Sequence, residues 1–246
     1  IYLKYDWCSY SRVATGEGKV YWTKPYTKMG KALKSQNRDI LFSLCQYGWG
    51  DVSKWGNEVN GSCWRTTGDI TDTYDSMFGI LQQQVPLWVY AGPDSWNDPD
   101  MLIVGKVGWG ALHPTRLTQN EQYTHMSMWA ILCSPLLIGC DLTDLDEFTL
   151  SLLTNDEVIE VNQDELGAQA ARIKEDNVSE IWAKPMSDGS IVMAFFNKSK
   201  RPPKTTIVAD MKSLGLEGHW LARDLWRQQD IPVNAVYNIP SHGVRF

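Results

Sequence analysis

The sequence predicts an α/β fold, the C-terminal portion of a (β/α)8 TIM barrel, followed by a small antiparallel β-sandwich. In the first two-thirds of the chain, short apolar runs alternate with amphipathic stretches, as in βαβ units around a parallel sheet. After Gly167 the runs are strand-like and are separated only by turn signals. The chain has 246 residues, whereas a complete barrel alone takes about 250. We therefore expect part of a barrel rather than a whole one.

The barrel part is predicted from five apolar runs that end in polar or small residues. These runs are Ile1–Asp6, Ile40–Cys45, Ser62–Thr66, Trp88–Ala91 and Leu136–Cys140. Amphipathic stretches between them predict helices at Thr27–Gln36, Asp72–Gln83, Gln119–Leu132 and Leu145–Leu153. Thr118, followed by Glu121, predicts a capping box at the start of the third of these helices.

The sandwich is predicted from five further runs with turns at Asp188-Gly189, Pro202-Pro203 and Gly218 between them. The runs are Glu180–Ala183, Ile191–Phe196, Thr205–Ala209, Trp220–Asp224 and Val233–Ile239. We predict two domains, a partial catalytic barrel at 1–167 and a sandwich at 168–246.

The composition excludes several functional classes. Hydrophobic residues make up 43% and charged residues 21%, as in soluble globular proteins. The net charge of −6 argues against nucleic acid or an anionic membrane as a partner. The most apolar stretch, Met126–Leu142, is interrupted by Pro135 and is shorter than the roughly 20 residues of a membrane helix. The 12 tryptophans suit either sugar rings or a tryptophan-rich core.

The cysteines and histidines do not have the spacing of a metal site. No CxxC pair occurs among the five cysteines, and the four histidines are scattered. Three glycosylation sequons, at Asn60, Asn177 and Asn197, favour a secreted or extracellular protein. The chain opens on Ile1 in a predicted strand, so we expect it to start inside a larger protein.

Polar residues at strand ends are the first candidates for function, because the site of such a barrel lies at the C-terminal ends of its strands. Lys4 and Asp6 are two residues apart on one strand and face the same side. Arg65 and Asp69 follow another strand, at a spacing that allows an arginine–carboxylate contact. The alternative for each pair is a structural ion pair.

Two loops add further candidates. Gln46-Tyr47-Gly48-Trp49 suits a loop that contacts sugar, although a packed turn has the same composition. Asp98 and Asp100 could bind a metal, but carboxylates in such turn-rich loops more often hold backbone N–H groups. Two carboxylates on one barrel face are typical of glycoside hydrolysis.

Six motifs, in order, resemble glycoside hydrolase family 27, the α-galactosidase (melibiase) family. They are LKYD-x-C, CQYG, WRTTGDI, AGP-x-x-WNDPDML, PLLIGCDL and VNQD-x-LG. They cover Ile1–Gly167, and Gly189–Arg245 resembles the C-terminal β-sandwich of the family. The resemblance implies a retaining hydrolase that removes terminal α-galactosyl groups by double displacement, with no metal or organic cofactor.

The resemblance also implies a role for each matching residue. Asp6 matches the nucleophile, and Asp69 matches the general acid/base. The residues that match substrate-binding positions are Lys4, Cys45, Gln46, Trp49, Arg65 and Met101. The implied partner is a galactose-containing oligosaccharide or glycoside.

This sequence departs from the family pattern in three ways. Gln46 replaces a frequent Glu near the 2-hydroxyl, and GPDSWND replaces the usual GPGGWND. The N-terminal barrel strands of the family, with their paired aspartates and the usual partner of Cys8, have no match. We expect the N-terminal part of the same protein to complete the barrel. A disulfide between Cys45 and Cys63 is implied only by the resemblance.

Three alternatives stay open. A β-L-arabinopyranosidase of the same family would recognise the same ring hydroxyls without the CH2OH arm. A non-catalytic sugar-binding fragment would keep the sugar-facing residues without the activity. A chain completed by another polypeptide would also account for the missing strands.

Overall fold

A four-stranded parallel sheet forms the centre of the first domain. The computed structural model describes residues 1–108, 110–200, 205–208, 211–212, 215–233 and 236–246. The strands lie side by side in chain order, namely β1 (Tyr2–Asp6), β2 (Leu41–Cys45), β3 (Cys63–Arg65) and β4 (Trp96–Asp98). Asp6 is in register with Cys45, and Arg65 with Asp98. The carboxyl ends of all four strands therefore meet at one edge of the sheet.

Five α-helices within the described residues accompany this sheet. They are α1 (Gly18–Lys34), α2 (Tyr74–Gln84), α3 (Gln119–Ile131), α4 (Glu147–Leu153) and α5 (Asp156–Gln163). The predicted capping box is confirmed, because the Thr118 backbone N–H donates to Glu121 and the Glu121 N–H donates to the Thr118 hydroxyl. Helix α1 begins well before the predicted Thr27. Helix α5 was not predicted from the sequence; it is capped by the Asn155 side chain, which accepts from the Val158 N–H.

The predicted strand at Trp88–Ala91 was wrong. Trp88–Tyr90 forms a single 3-10 turn in which Trp88 and Val89 are about half exposed. The strand comes later, at β4, and its polar sequence hid it. Asn97 is buried in β4 because it accepts a hydrogen bond from the Trp64 indole at 2.9 Å and donates to Gln169 at 2.8 Å.

The last predicted barrel strand makes a single parallel bridge, between Leu102 and Ile138. A short hairpin of β5 (Lys106–Val107) and β6 (His113–Pro114) precedes it. Beyond β4, this hairpin and the bridging segment continue the strand-end edge on which the candidate residues lie.

The second domain is an antiparallel β-structure. Its strands are β7 (Ala171–Glu175), β8 (Ser179–Pro185), β9 (Ile191–Asn197), β10 (Thr205–Val208), β11 (Ala222–Asp224), β12 (Gln229–Ile231), β13 (Val236–Ile239) and β14 (Val244–Arg245). They form a four-stranded sheet in the order β14-β9-β8-β7 and two pairs, β10-β13 and β11-β12. Ala209 and the residues at 234–235, parts of two predicted strands, lie outside the described residues.

Successive side chains of β8 and β9 point to opposite faces of the sheet, and one face packs against the first domain. Ile181 and Phe195 pack into the sandwich core with Tyr237. Trp182 and Phe196, one residue further along, face the other way and belong to the hydrophobic cluster around α2, α3 and α5. Strands β8 and β9, at the centre of this sheet, are therefore packed on both faces. The proposed domain boundary near residue 167 lies between α5 and β7.

The structure leaves Cys45 and Cys63 as thiols, as it does the other three cysteines. Cys63 is in register with Ser43, so Cys45 lies two residues further along the neighbouring strand. That offset puts the two Cα atoms about 8 Å apart, beyond the roughly 7 Å that a disulfide spans. Within the residues described, no helix combines the length and apolarity needed to cross a bilayer.

Candidate active site

The first candidate pair lies at the end of β1. The Lys4 ammonium is 3.9 Å from an Asp6 oxygen, and the side chains are 36% and 38% exposed. The Cys45 side chain hydrogen-bonds Asp6 from the neighbouring strand. Burial and this contact raise the pKa of the Cys45 thiol to about 12. Asp6 therefore lies between an ammonium and an un-ionised thiol, with one side open to solvent.

The second candidate pair lies at the end of β3 and is supported by a buried carboxylate. Arg65 is almost completely buried, and its guanidinium lies 3.1 Å from Asp69 and 2.9 Å from Asp100. Asp100 is buried, whereas the Asp69 side chain is 71% exposed. Arg65 thus contacts the buried Asp100 carboxylate and the exposed Asp69 carboxylate at the same time. Asp69 can therefore contact a ligand while it stays paired with Arg65.

The loop after β2 brings the two pairs to one place. Gly48 has φ +82°, and a Cβ there would lie 2.1 Å from the Thr66 carbonyl oxygen, so only glycine fits. The loop is therefore pressed against the segment that leads to Asp69. Burial raises the pKa of Tyr47, with Cys45, Asp6 and Asp69 as further causes. Tyr47 therefore lies within electrostatic range of both candidate catalytic carboxyls.

The other predicted binding residues lie around this opening. Gln46 is buried, its Nε2 donates to the Trp49 carbonyl at 3.4 Å, and its Oε1 has no partner within the described part of the chain. Trp49 is 52% exposed and packs against Trp22 and Tyr47. Such a half-exposed indole offers a flat apolar face to a ligand.

Met101 follows β4 and is held between two neighbours. Its backbone N–H donates to Asp100 at 2.8 Å. A Cβ on Gly139 would lie 2.5 Å from the Met101 sulfur, so this glycine makes room for the side chain. Met101 therefore lies on the same strand-end edge as the two candidate pairs.

Two of the three carboxylates in the GPDSWNDPD loop, those of Asp98 and Asp100, hold backbone N–H groups, as the sequence predicts. Asp98 accepts from the Asp100 N–H at 2.9 Å, and Asp100 also accepts from Ile70 at 2.9 Å. Asp98 is fully buried, its second oxygen lacks a partner in the described chain, and burial raises its pKa to about 6. Among the described residues, no group of three or more His, Cys, Asp or Glu side chains is placed to hold a metal ion.

Sequence reasoning missed two residues of this site. Asp100 was assigned only to the loop, although it anchors Arg65. Tyr47 was noted only as one aromatic of its loop, although Asp6 and Asp69 both contribute to raising its pKa. Asp100 also has φ +103°, a strained conformation for a residue other than glycine.

Comparison with known proteins identifies two family domains. Residues 1–164 match the family described as alpha galactosidase A, and residues 176–246 match the alpha galactosidase C-terminal beta sandwich domain. An alpha-galactosidase from Cyamopsis tetragonoloba is 41% identical over 92% of the chain. The chain spans about half the length of the curated relatives it matches, 51% in this case.

Solved structures show the same fold. Alpha-galactosidase I from Mortierella vinacea has a TM-score of 0.86 and 28% identity, over 99% of this chain and 66% of its own. A glycoside hydrolase family 27 β-L-arabinopyranosidase from Geobacillus stearothermophilus has a TM-score of 0.84 and 31% identity, over 91% and 52%. Relatives with two different substrate preferences therefore share this architecture.

Proposed function

The chain belongs to the α-galactosidase family, glycoside hydrolase family 27, and from that premise we propose that it carries the catalytic carboxylates of a retaining hydrolase for terminal α-galactosyl groups. The observation that carries this proposal is that Asp6 ends β1 and Asp69 follows β3, two strands whose carboxyl ends meet at one edge of the sheet, and that each carboxyl pairs with its own cation. Two carboxylates facing one space are what cleavage of a glycosidic bond requires.

In the proposed mechanism, Asp6 attacks the anomeric carbon and forms a covalent glycosyl-enzyme. Asp69 protonates the departing oxygen and then takes a proton from the water that releases the sugar. The exposure of Asp69 supports this assignment, because the group must reach first the leaving group and then water. Two displacements at one carbon retain the anomeric configuration.

The remaining residues are proposed to bind the galactosyl ring. Lys4 and Arg65 would donate to ring hydroxyls, and Gln46 would offer its unpaired Oε1 near the 2-hydroxyl. Trp49 and Met101 would contact the apolar edges of the ring. The Cys45 thiol would line the wall beside Asp6. None of these steps requires a metal or an organic cofactor.

We propose that further strands from the same protein complete the barrel. Among the described residues, β1 pairs only with β2, and the Leu136–Cys140 segment makes one bridge. Tyr2, Ile138 and Leu142 are 44%, 45% and 59% exposed. In a complete sheet, an exposed strand edge of this kind ordinarily pairs with a neighbouring strand, and the apolar side chains beside it are covered. We expect residues 1–246 expressed alone to fold poorly and to be inactive, and a well-folded active product would refute this expectation.

A secreted location is part of the proposal. Asn60 and Asn177 are exposed sequon residues. The third sequon is unsuitable, because the Asn197 amide is buried and donates to the Ile239 and Pro240 carbonyls at 2.9 and 3.0 Å. Glycosylation mapping should therefore find sugar only at the first two sites.

The experiment uses the protein that contains the complete barrel. Asp6→Asn and Asp69→Asn should each lower turnover of an aryl α-galactoside by about a thousandfold or more, with unchanged circular dichroism. Asp94→Asn, an exposed carboxyl in a nearby loop, is the control and should keep full activity. Near-normal turnover by either catalytic variant would exclude the assignment.

The second candidate function is β-L-arabinopyranoside hydrolysis. The structural likeness to the Geobacillus stearothermophilus enzyme favours keeping it. Rates on paired aryl α-galactoside and β-L-arabinopyranoside substrates decide between the two. Much faster cleavage of the arabinopyranoside would replace the first proposal.

A further inference from the structure

A second depression adjoins the proposed catalytic site. It has a volume of about 250 Å³ and is formed by the segment after Asp69, the end of β4, the β5–β6 hairpin and Gly139. We call it the hairpin depression, and its lining residues used below are Ile70, Asp72, Met101, Val107, His113 and Arg116. Ile70 directly follows Asp69, and Met101 is itself a proposed sugar contact. The depression therefore begins at the edge of the catalytic site.

The polar wall of the hairpin depression is an ion pair. The Asp72 side chain is 8% exposed, and Arg116 donates to one of its oxygens from Nε at 3.0 Å and from NH2 at 2.5 Å. The Arg116 backbone N–H donates to the other oxygen at 2.9 Å. Burial alone would raise the pKa of Asp72, but the Arg116 hydrogen bonds prevail and hold that pKa below its ordinary value. The carboxylate is therefore ionised at neutral pH.

Hydrogen-bonding capacity remains in this wall after the ion pair has formed. NH1 of Arg116 has no partner among the described residues, and a carboxylate can accept more than the bonds Asp72 receives. His113 lies 3.9 Å from Asp72 and is about half exposed. The opposite wall is apolar and includes Ile70, Met101 and Val107.

This combination selects for a neutral, hydroxyl-rich ligand. The charges of Asp72 and Arg116 cancel, so neither an anion nor a cation gains much from the site. Vicinal hydroxyls can bond the carboxylate and the guanidinium together, while the apolar wall receives the C–H face of a ring. At about 30 Å³ for each water, a volume of about 250 Å³ displaces only about eight waters, which suits a single sugar ring.

We propose that the hairpin depression binds the leaving group of the substrate, a neutral sugar attached to the galactosyl unit. The inference rests on the proposed function, because it places this sugar next to Asp69, which would protonate the bond between the two sugars. The specificity for the second sugar then lies in Asp72, His113 and Arg116. These residues belong to the hairpin and to the segment that leads into α2, not to the galactosyl pocket.

The test compares two substrates that differ only in the leaving group. An α-galactosyl disaccharide of glucose would fill the depression, whereas α-galactosyl fluoride releases only a fluoride ion. In the protein with the complete barrel, Arg116→Ala and His113→Ala should lower the ratio of kcat/KM for the disaccharide to that for the fluoride. The expected decrease is about tenfold for Arg116→Ala, the effect of one charged hydrogen bond.

Lys106→Ala is the control, because Lys106 lies on the same hairpin and pairs with Asp144, which is outside the hairpin, but does not line the depression. It should leave the ratio unchanged. An unchanged ratio in both depression variants would overturn the inference. If kcat/KM decreased equally for the two substrates, the ion pair would only hold the hairpin in place, and the inference would be overturned as well. If the unmodified protein cleaves neither substrate, the proposed function itself fails, and this inference fails with it.

Discussion

Asp98 gives the folded protein a pH dependence that one substitution should remove. Burial raises its pKa to about 6, from an ordinary value of 3.8. The difference of about 2.2 corresponds to about 3 kcal/mol, at about 1.36 kcal/mol for each tenfold change. A raised carboxyl pKa stabilises the fold at pH values below 3.8. That contribution is lost as the pH rises through about 6. The ionised form at pH 7 is therefore the destabilised one.

Asp98→Asn keeps the shape of the side chain and an oxygen for the Asp100 N–H, but it does not titrate. Relative to the unmodified protein, the free energy of unfolding of this variant should increase by about 2 kcal/mol between pH 4 and pH 7, since part of the full difference lies below pH 4. Urea unfolding of the protein with the complete barrel, followed by tryptophan fluorescence at each pH, measures this change. Asp94→Asn, an exposed carboxyl of the same loop, should show a constant difference. A constant difference for Asp98→Asn as well would show that the Asp98 carboxyl does not titrate near pH 6 in the folded protein.

Three further predictions concern two buried side chains and one half-exposed indole. Burial lowers the pKa of His125 to about 3 from 6.5. Below pH 6.5 the unfolded chain therefore takes up a proton that the folded protein does not. Relative to His125→Gln, the free energy of unfolding of the unmodified protein should decrease by about 1.4 kcal/mol for each pH unit below 6.5. Urea unfolding at pH 4.5 to 7.5 checks this, and a gap independent of pH would contradict it. Trp182→Ala should cost about 3–5 kcal/mol of stability because the indole is completely buried. Trp49→Ala, at a half-exposed indole, should change the melting temperature little and raise KM; similar stability losses for the two variants would oppose this account.

The sequence pattern located most of the barrel sheet because three of its four strands are apolar runs. It missed β4 because Asn97 and Asp98 are polar and yet buried, and only contacts with distant residues such as Trp64 and Gln169 satisfy Asn97. The run at Trp88–Ala91 misled for the opposite reason, since it is apolar and partly exposed. Burial of this kind depends on tertiary partners that local sequence does not reveal.

The candidate residues were found because strand ends and family motifs mark them. What the sequence did not reveal is how they are supported. The contact between Asp100 and Arg65 joins two different strand ends, and Tyr47 reaches its position through a turn that depends on Gly48. The hairpin depression joins residues 44 positions apart in Asp72 and Arg116. Such contacts form where segments that are distant in the chain meet at one edge of the sheet, so the spacing of the residues in the sequence does not reveal them.

Asp6 is proposed to form a covalent bond with the sugar during turnover. Incubation of the complete protein with 5-fluoro-α-galactosyl fluoride should trap the glycosyl-enzyme, because the added fluorine slows its hydrolysis. Peptide mapping by mass spectrometry then locates the sugar. The account predicts a galactosyl ester on the peptide that contains Asp6, and none in Asp6→Asn. A label on another carboxylate, or consumption of the reagent with retained activity and no label, would contradict it.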